Sequence, residues 1–373
     1  MKANACRAAL LALALALAWL APGLQAQGVP WRLDTVTDGL LSPASLAFLP
    51  DGRFLVAERG GRLRLVTASG RLQPQALNSP AADALNDLTG LIDVVLDPDF
   101  ASTQRLFLTY QRGTQSANQL RLVTARLQGD QLGPVSILFD ALPARLGASN
   151  FGGRMAFLPD KTLVFSVGDG FDYREQAQNP RSHLGKLLRL NRDGSVPANN
   201  PFVGRADVWP ALYSLGHRNV QGLAFDPITR QLLANEHGAK GGDEINNILP
   251  GHNYGWPLAT FGVDYTGARI TPYTALPGLT APLLHWTPSI APSALAVYRG
   301  SAFPSWNGDL FTTTLAGEAV VRVRLDGDRV VEQQKLFGDL GVRLRDVKVG
   351  PDGLIYLLTD DKNGRLLRVR PGP

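Results

Sequence analysis

One phrase recurs along this chain: an alternating apolar run, a Pro-Asp turn, then a second alternating run. It reads LAFLPDGRFLVAE from residue 46, VVLDPDFASTQRLFLTY from 94, MAFLPDKTLVFSVGDG from 155 and LAFDPITRQLLANEHG from 223. A looser copy, LAVYRGSAFPSWNGDLFTTTL, starts at 295, and VKVGPDGLIYLLTD starts at 347. Each copy pairs two short strands of period two across a turn that Pro, Asp and Gly favour. Spacings of one blade, roughly 40–50 residues plus loops, are the mark of a propeller. The six copies therefore predict an all-β fold, a six-bladed β-propeller whose radial arrangement leaves few sheet edges open. A β-sandwich of ordinary hairpins is the competing architecture, and the number of copies weighs against it. The propeller is expected as a single domain over 30–371, closed by pairing its terminal strands. The 39 Gly and 26 Pro fit a turn-rich chain, and no amphipathic helix stands out. The polar run 172–182 reads as a loop.

The first 26 residues have another purpose. Lys2 and Arg7 flank the start of an apolar run, Ala8 to Leu20, and the small residues Ala21, Pro22, Gly23 and Ala26 follow. This is a secretory signal pattern with cleavage after Ala26, and its apolar run falls short of the roughly 20 residues of a membrane span. Export to the periplasm or beyond is expected, and no later stretch is long enough to span a membrane. Without the segment the chain holds 35 basic and 32 acidic side chains, scattered. So mild a balance argues against nucleic acid as a partner. Cys6 is the only cysteine and leaves with the signal, which excludes disulfides, thiol nucleophiles and Cys-ligated zinc.

Propellers bind ligands on the loops at one end of the central channel, so irregular segments between repeats are the place to look. The densest, 214–257, holds His217, Arg218, Asn219, Glu236, His237, Lys240, Asp243, Glu244 and Tyr254. A second, 149–192, opens with SNFGGRMAF and continues through VGDGFDYREQAQN. RLRDV at 343–347 is the third.

At these residues a resemblance becomes specific. GHRNVQGLAFDP, GGDEIN, NYGWP and LGKLLRLNRDGSVPANNPF occur together with the repeat phrases. The set resembles the soluble aldose dehydrogenases of the glucose/sorbosone dehydrogenase family, over about residues 36–371. The resemblance implies a six-bladed propeller that uses pyrroloquinoline quinone (PQQ) and calcium to oxidise a sugar or related alcohol, passing electrons to an acceptor. It places Arg218 and Asn219 against the quinone rings, and Arg343 and Arg345 on its carboxylates, roles suited to a planar guanidinium fork. Strand alternation sets the latter two on one face. Leu88, Ala316 and Tyr265 fall at further cofactor-contacting positions. Gly238 and Ala239, through carbonyls, with Glu244 and Tyr254, fall at calcium positions.

The departures from the family pattern concern catalysis. Where the family carries a histidine base before the Gly-Gly-Arg phrase, this chain has Asn150. An amide donates and accepts hydrogen bonds but takes no proton near pH 7. Leu88 stands for a glutamine, Ala316 for a lysine, and Thr287, beside Trp286, for a substrate-shaping aromatic. Asp169, Asp172 and His217 are the candidates for a substitute base. Two functions follow: a periplasmic quinoprotein dehydrogenase with slow or altered catalysis, or a non-catalytic propeller that binds a glycan, a quinone or a protein. A calcium-dependent hydrolase on the same fold is disfavoured, because no GxSxG elbow or His-rich metal set is present.

Overall fold

The computed structural model describes residues 30–80 and 90–373, so the signal pattern at 1–26 and Leu88 lie outside the described residues. Six antiparallel sheets follow one another along the chain. Their first strands are Pro43–Phe48, Leu91–Leu96, Gly152–Phe157, Val220–Phe225, Pro292–Val297 and Leu344–Val349. Each first strand packs against those of the two neighbouring sheets, and the sixth returns to the first, which makes a closed ring. The result is the six-bladed propeller anticipated from the repeats. Its last sheet is completed by the N-terminal strand Trp31–Leu40, which pairs with Gly364–Pro371 from Trp31 opposite Pro371 to Leu40 opposite Gly364. The first blade departs from the four-stranded pattern: beyond Leu63–Val66, among the described residues, it has isolated bridges to Leu72 and Leu77 in place of a fourth strand. The run 172–182 is loop apart from a 3-10 turn at Arg174–Gln178.

Packing explains why the second strand of five of the repeats is buried on both faces. Phe54–Glu58, Leu163–Val167, Leu232–Glu236, Leu310–Thr314 and Ile355–Thr359 are buried at every position. A blade is covered on both faces by its neighbours, so alternation need not expose one side. Among the described residues, six apolar clusters fill the six gaps between adjacent blades, for example Leu55, Leu65, Val94 and Leu108 between the first and second. Burial of a side chain of this size is worth about 1.5–3 kcal/mol.

Polar side chains tie the ring near the axis. Ser45 Oγ donates to Asp93, and Asp93 in turn accepts from Met155 N at 2.9 Å. Ser166 Oγ reaches Val220 O, Asn235 Nδ2 reaches Ala294 O, and Ser293 Oγ reaches Leu344 O at 2.7 Å. Leu46 N donates to Asp346 Oδ2 at 2.9 Å and completes the circle. Each tie runs from one blade's buried side chain to a neighbouring blade, which satisfies polar groups that would be costly to bury alone.

Candidate active site

Every first strand carries one extra residue near its start. Pro43 opposes Glu58 but Ser45 opposes Ala57, and the same slip separates Leu91 from Asp93, Gly152 from Met155, Val220 from Gly222, Pro292 from Ala294 and Leu344 from Asp346. Such a bulge breaks the alternation and re-aims a side chain. Here it aims them at the channel. Ala44, Ile92, Gln221 and Arg345, all at the slip, line one pocket of about 160 Å³ together with Arg59, Leu91, Ala148, Asn150, Phe151, Gly152, Arg154 and Asn219.

Among its described lining residues the pocket presents three guanidinium groups, three amides and no carboxylate. Arg345 donates from Nε and Nη2 to Asp360 Oδ1 at 3.0 and 2.9 Å. Arg343 Nε reaches the other oxygen of Asp360 at 2.9 Å, from a side chain still 48% exposed. Burial lowers the Arg345 guanidinium to about 10, with the charges of Arg59 and Arg154 acting the same way against Asp360. Burial alone would raise the Asp360 carboxyl, but the charges of Arg345 and Arg59 and hydrogen bonds from Arg343 and Arg345 hold it below its ordinary value. Arg154 spans the axis: Nη2 donates to Ser293 O at 2.9 Å, and Nη1 lies 3.7 Å from Asp93 and 3.8 Å from Asp346. Arg59 Nε and Arg154 Nε are buried without an acceptor among the described residues.

Asn150 sits at the pocket wall with a left-handed backbone, φ +52°, a region that asparagine tolerates better than most residues. Its carbonyl comes so close to Gly168 that a Cβ there would lie 2.1 Å from Asn150 O. This explains one glycine of the Gly-Asp-Gly run. Asn150 Nδ2 donates to Asp169 Oδ1 at 2.9 Å, and its Oδ1 receives only a long contact, 3.4 Å, from Asn219 Nδ2. Asn219 Oδ1 accepts from Gly152 N and Gln221 Nε2. Asp169 is fully buried, and its oxygens also accept from Phe171 N at 2.9 Å and Trp256 Nε1 at 2.8 Å. Burial pushes its carboxyl up; Arg218 and those donors pull against that shift. The carboxylate holds Asn150 and does not line the pocket.

The remaining candidates divide. Arg218 is buried beside the pocket, donating to Gly238 O, with its guanidinium 5.4 Å from the Trp256 ring and 5.9 Å from that of Tyr265. Tyr265 is exposed and stacks on Phe171. His217 is fully buried between Ser214 Oγ and Glu236 Oε1, with its ring stacked on Tyr254. Asp172 is exposed at the rim. Ala316 is exposed just beyond the fifth blade's second strand, its N–H on Ile290 O. Thr287 Oγ1 accepts from Gly242 N and donates to Phe261 O. Gly238 N donates to Asp243 Oδ1, and Ala239 is buried beside it. Glu244 opposes Glu236 across two strands, with Asn246 Nδ2 bonded to both. Burial and then the Glu236 charge push Glu244 up to about 8.

Sequence reading missed Arg59, Arg154, Gln221 and Asp360. A signal for two of them was present. Arg59 follows Glu58, which opposes Pro43, and Asp360 follows Thr359, which opposes Leu344. They are thus the same register position of the first and last repeats.

The profile of the glucose/sorbosone dehydrogenase family matches residues 40–368. The aldose sugar dehydrogenase YliI of Escherichia coli is 37% identical over 94% of this chain and 96% of its own length. Quinoprotein glucose dehydrogenase B of Acinetobacter calcoaceticus is 28% identical over 87% of this chain and 84% of its own. The PQQ-bound aldose sugar dehydrogenase of Streptomyces coelicolor superposes with a TM-score of 0.74 at 30% identity, covering 92% of this chain and 98% of that one.

Proposed function

The chain belongs to the glucose/sorbosone dehydrogenase family, and from that premise we propose that it is an exported quinoprotein that oxidises the anomeric carbon of an aldose slowly, at the mouth of the propeller channel. The observation that carries the reading is the pocket itself: arginines with buried, unpaired N–H groups, amides beside them, and no carboxylate among the described lining residues. A planar, polycarboxylated ligand satisfies such a set. PQQ, when bound, supplies the acceptor for a hydride. Arg345, with Arg343 beside it on Asp360, would hold its carboxylates, and Arg218 and Asn219 would meet its rings and carbonyls. Asn150 Oδ1, turned from Asp169, would accept a hydrogen bond from the sugar hydroxyl and orient it. The hydroxyl proton would leave to water at the channel mouth, which is why the step is slow. The test is titration of the purified protein with PQQ, followed by tryptophan fluorescence, then dye reduction with glucose and other aldoses. Saturable binding with slow turnover is expected; no binding would overturn the proposal. Tight binding with no turnover on any aldose would favour the second reading, a binding propeller, which the missing base supports.

Calcium belongs to this proposal through Glu244. Among the described residues no three His, Cys, Asp or Glu side chains gather as a ready metal site, and the Gly238 carbonyl is occupied by Arg218. Yet two carboxylates face each other at Glu236 and Glu244, and a divalent cation would relieve the repulsion that helps keep Glu244 protonated. Calcium must displace that proton. Its effect on the melting temperature is therefore expected to be small near neutral pH and to grow as pH rises through about 8. Glu244→Gln should abolish the increment; an increment independent of pH would place calcium elsewhere.

A further inference from the structure

We infer that Arg59 is a third arginine of the cofactor's carboxylate anchor, reaching the pocket from the first blade while Arg345 reaches it from the sixth, with Arg343 beside it on Asp360. The inference rests on the quinoprotein reading and adds a residue to it.

Arg59 directly follows the first blade's second strand, Phe54–Glu58, and its backbone is held from both sides. Its N–H donates to Ser42 O at 3.0 Å and its carbonyl accepts from Gly90 N at 2.6 Å. Gly90 comes so close that a Cβ there would stand 2.1 Å from Arg59 O. The side chain then crosses to the neighbouring blade, where Nη2 donates to Asp360 Oδ1 at 2.8 Å, the oxygen that Arg345 also uses. The bulge residue of the first blade is the small Ala44; it lines the pocket together with Arg59. Three guanidinium groups thus share one carboxylate, and Arg154 lies nearby but already faces Asp93 and Asp346. One anion cannot balance the three. Arg59 Nε is buried with no acceptor among the described residues, so at least one of its N–H groups is left for an anion. Asp360 keeps the like charges together, and a ligand carboxylate supplies the missing counter-charge.

The probe is PQQ against its trimethyl ester, which keeps the rings and removes the charges. Binding is read by fluorescence quenching on protein whose melting curve shows it folded. Arg59→Leu is expected to weaken PQQ about 10–100-fold, the span of a lost charge-assisted hydrogen bond. Arg59→Lys keeps the charge but not the planar fork and should fall between Leu and wild type. Wild type and both variants should bind the ester within about threefold of one another, because no carboxylate remains to pair. If Arg59→Leu fails to fold, the Lys variant decides alone, by weaker PQQ and unchanged ester binding. Wild-type affinity for PQQ in either folded variant overturns the inference. An equal loss for PQQ and ester also overturns it, since that would reflect packing. Wild type that binds no PQQ overturns the quinoprotein reading as well, which separates the two failures.

Discussion

Asn150→His raises aldose oxidation by about 10²–10⁴-fold, the contribution typical of a positioned general base. The size of this expected gain follows from what already surrounds position 150. Asn150 Nδ2 donates to a buried carboxylate, Asp169, at 2.9 Å, and two further donors hold that carboxylate in place. An imidazole at 150 would give Nδ1–H to Asp169 and keep Nε2 as the acceptor facing the pocket, the tautomer a base requires. The left-handed backbone is one that histidine also tolerates. The gain should appear in kcat at saturating PQQ and calcium, and the rate should acquire a rising limb with pH that wild type lacks. With Leu88 and Ala316 at the positions the resemblance gives them, cofactor and substrate would be less well held, which would cap the gain. Asp169→Asn is the control. If Asp169 were itself the base, that change would abolish wild-type turnover and Asn150→His would do little. Brisk wild-type turnover that survives Asp169→Asn would sink both versions.

Arg154→Met costs about 3–5 kcal/mol of stability, the penalty for removing one partner from a buried charge set. Arg154 is 4% exposed and carries the positive charge between Asp93 and Asp346, each 1% exposed. Without it, two carboxylates remain near the axis, and Asp346 is already pushed up by burial. A carboxylate whose folded pKa lies above its unfolded value loses stability as pH rises between the two. The deficit therefore grows as pH rises through the raised Asp346 pKa and shrinks as pH falls toward the ordinary Asp range. Urea midpoints at two pH values check this, and adding Asp346→Asn should recover part of the loss. A pH-independent deficit would assign the cost to lost packing of the arginine stem.

Much of this architecture was readable because strand alternation and turn chemistry are local. Each hairpin announces itself in about fifteen residues, and six of them left little choice of fold. The catalytic departure was equally readable, since Asn150 adjoins Phe-Gly-Gly-Arg, although its meaning came from a resemblance. Arg59 was not readable. A lone arginine after a strand resembles a surface ion pair, and its partner Asp360 lies 301 residues away.

The sequence by itself determined the six hairpins, the turn residues between them and an amide where a base would serve. Tertiary structure decided which polar side chains meet. Ring closure set the first blade against the sixth and brought Arg59 to Asp360. The bulge between Leu344 and Asp346 left Arg345 unpaired in the ladder and aimed it at the pocket, while Arg343, outside the strand, stayed half exposed. The physical reason is parity. Period-two alternation tells which residues share a face only while the register holds, and one inserted residue per blade changes that answer where the site is built.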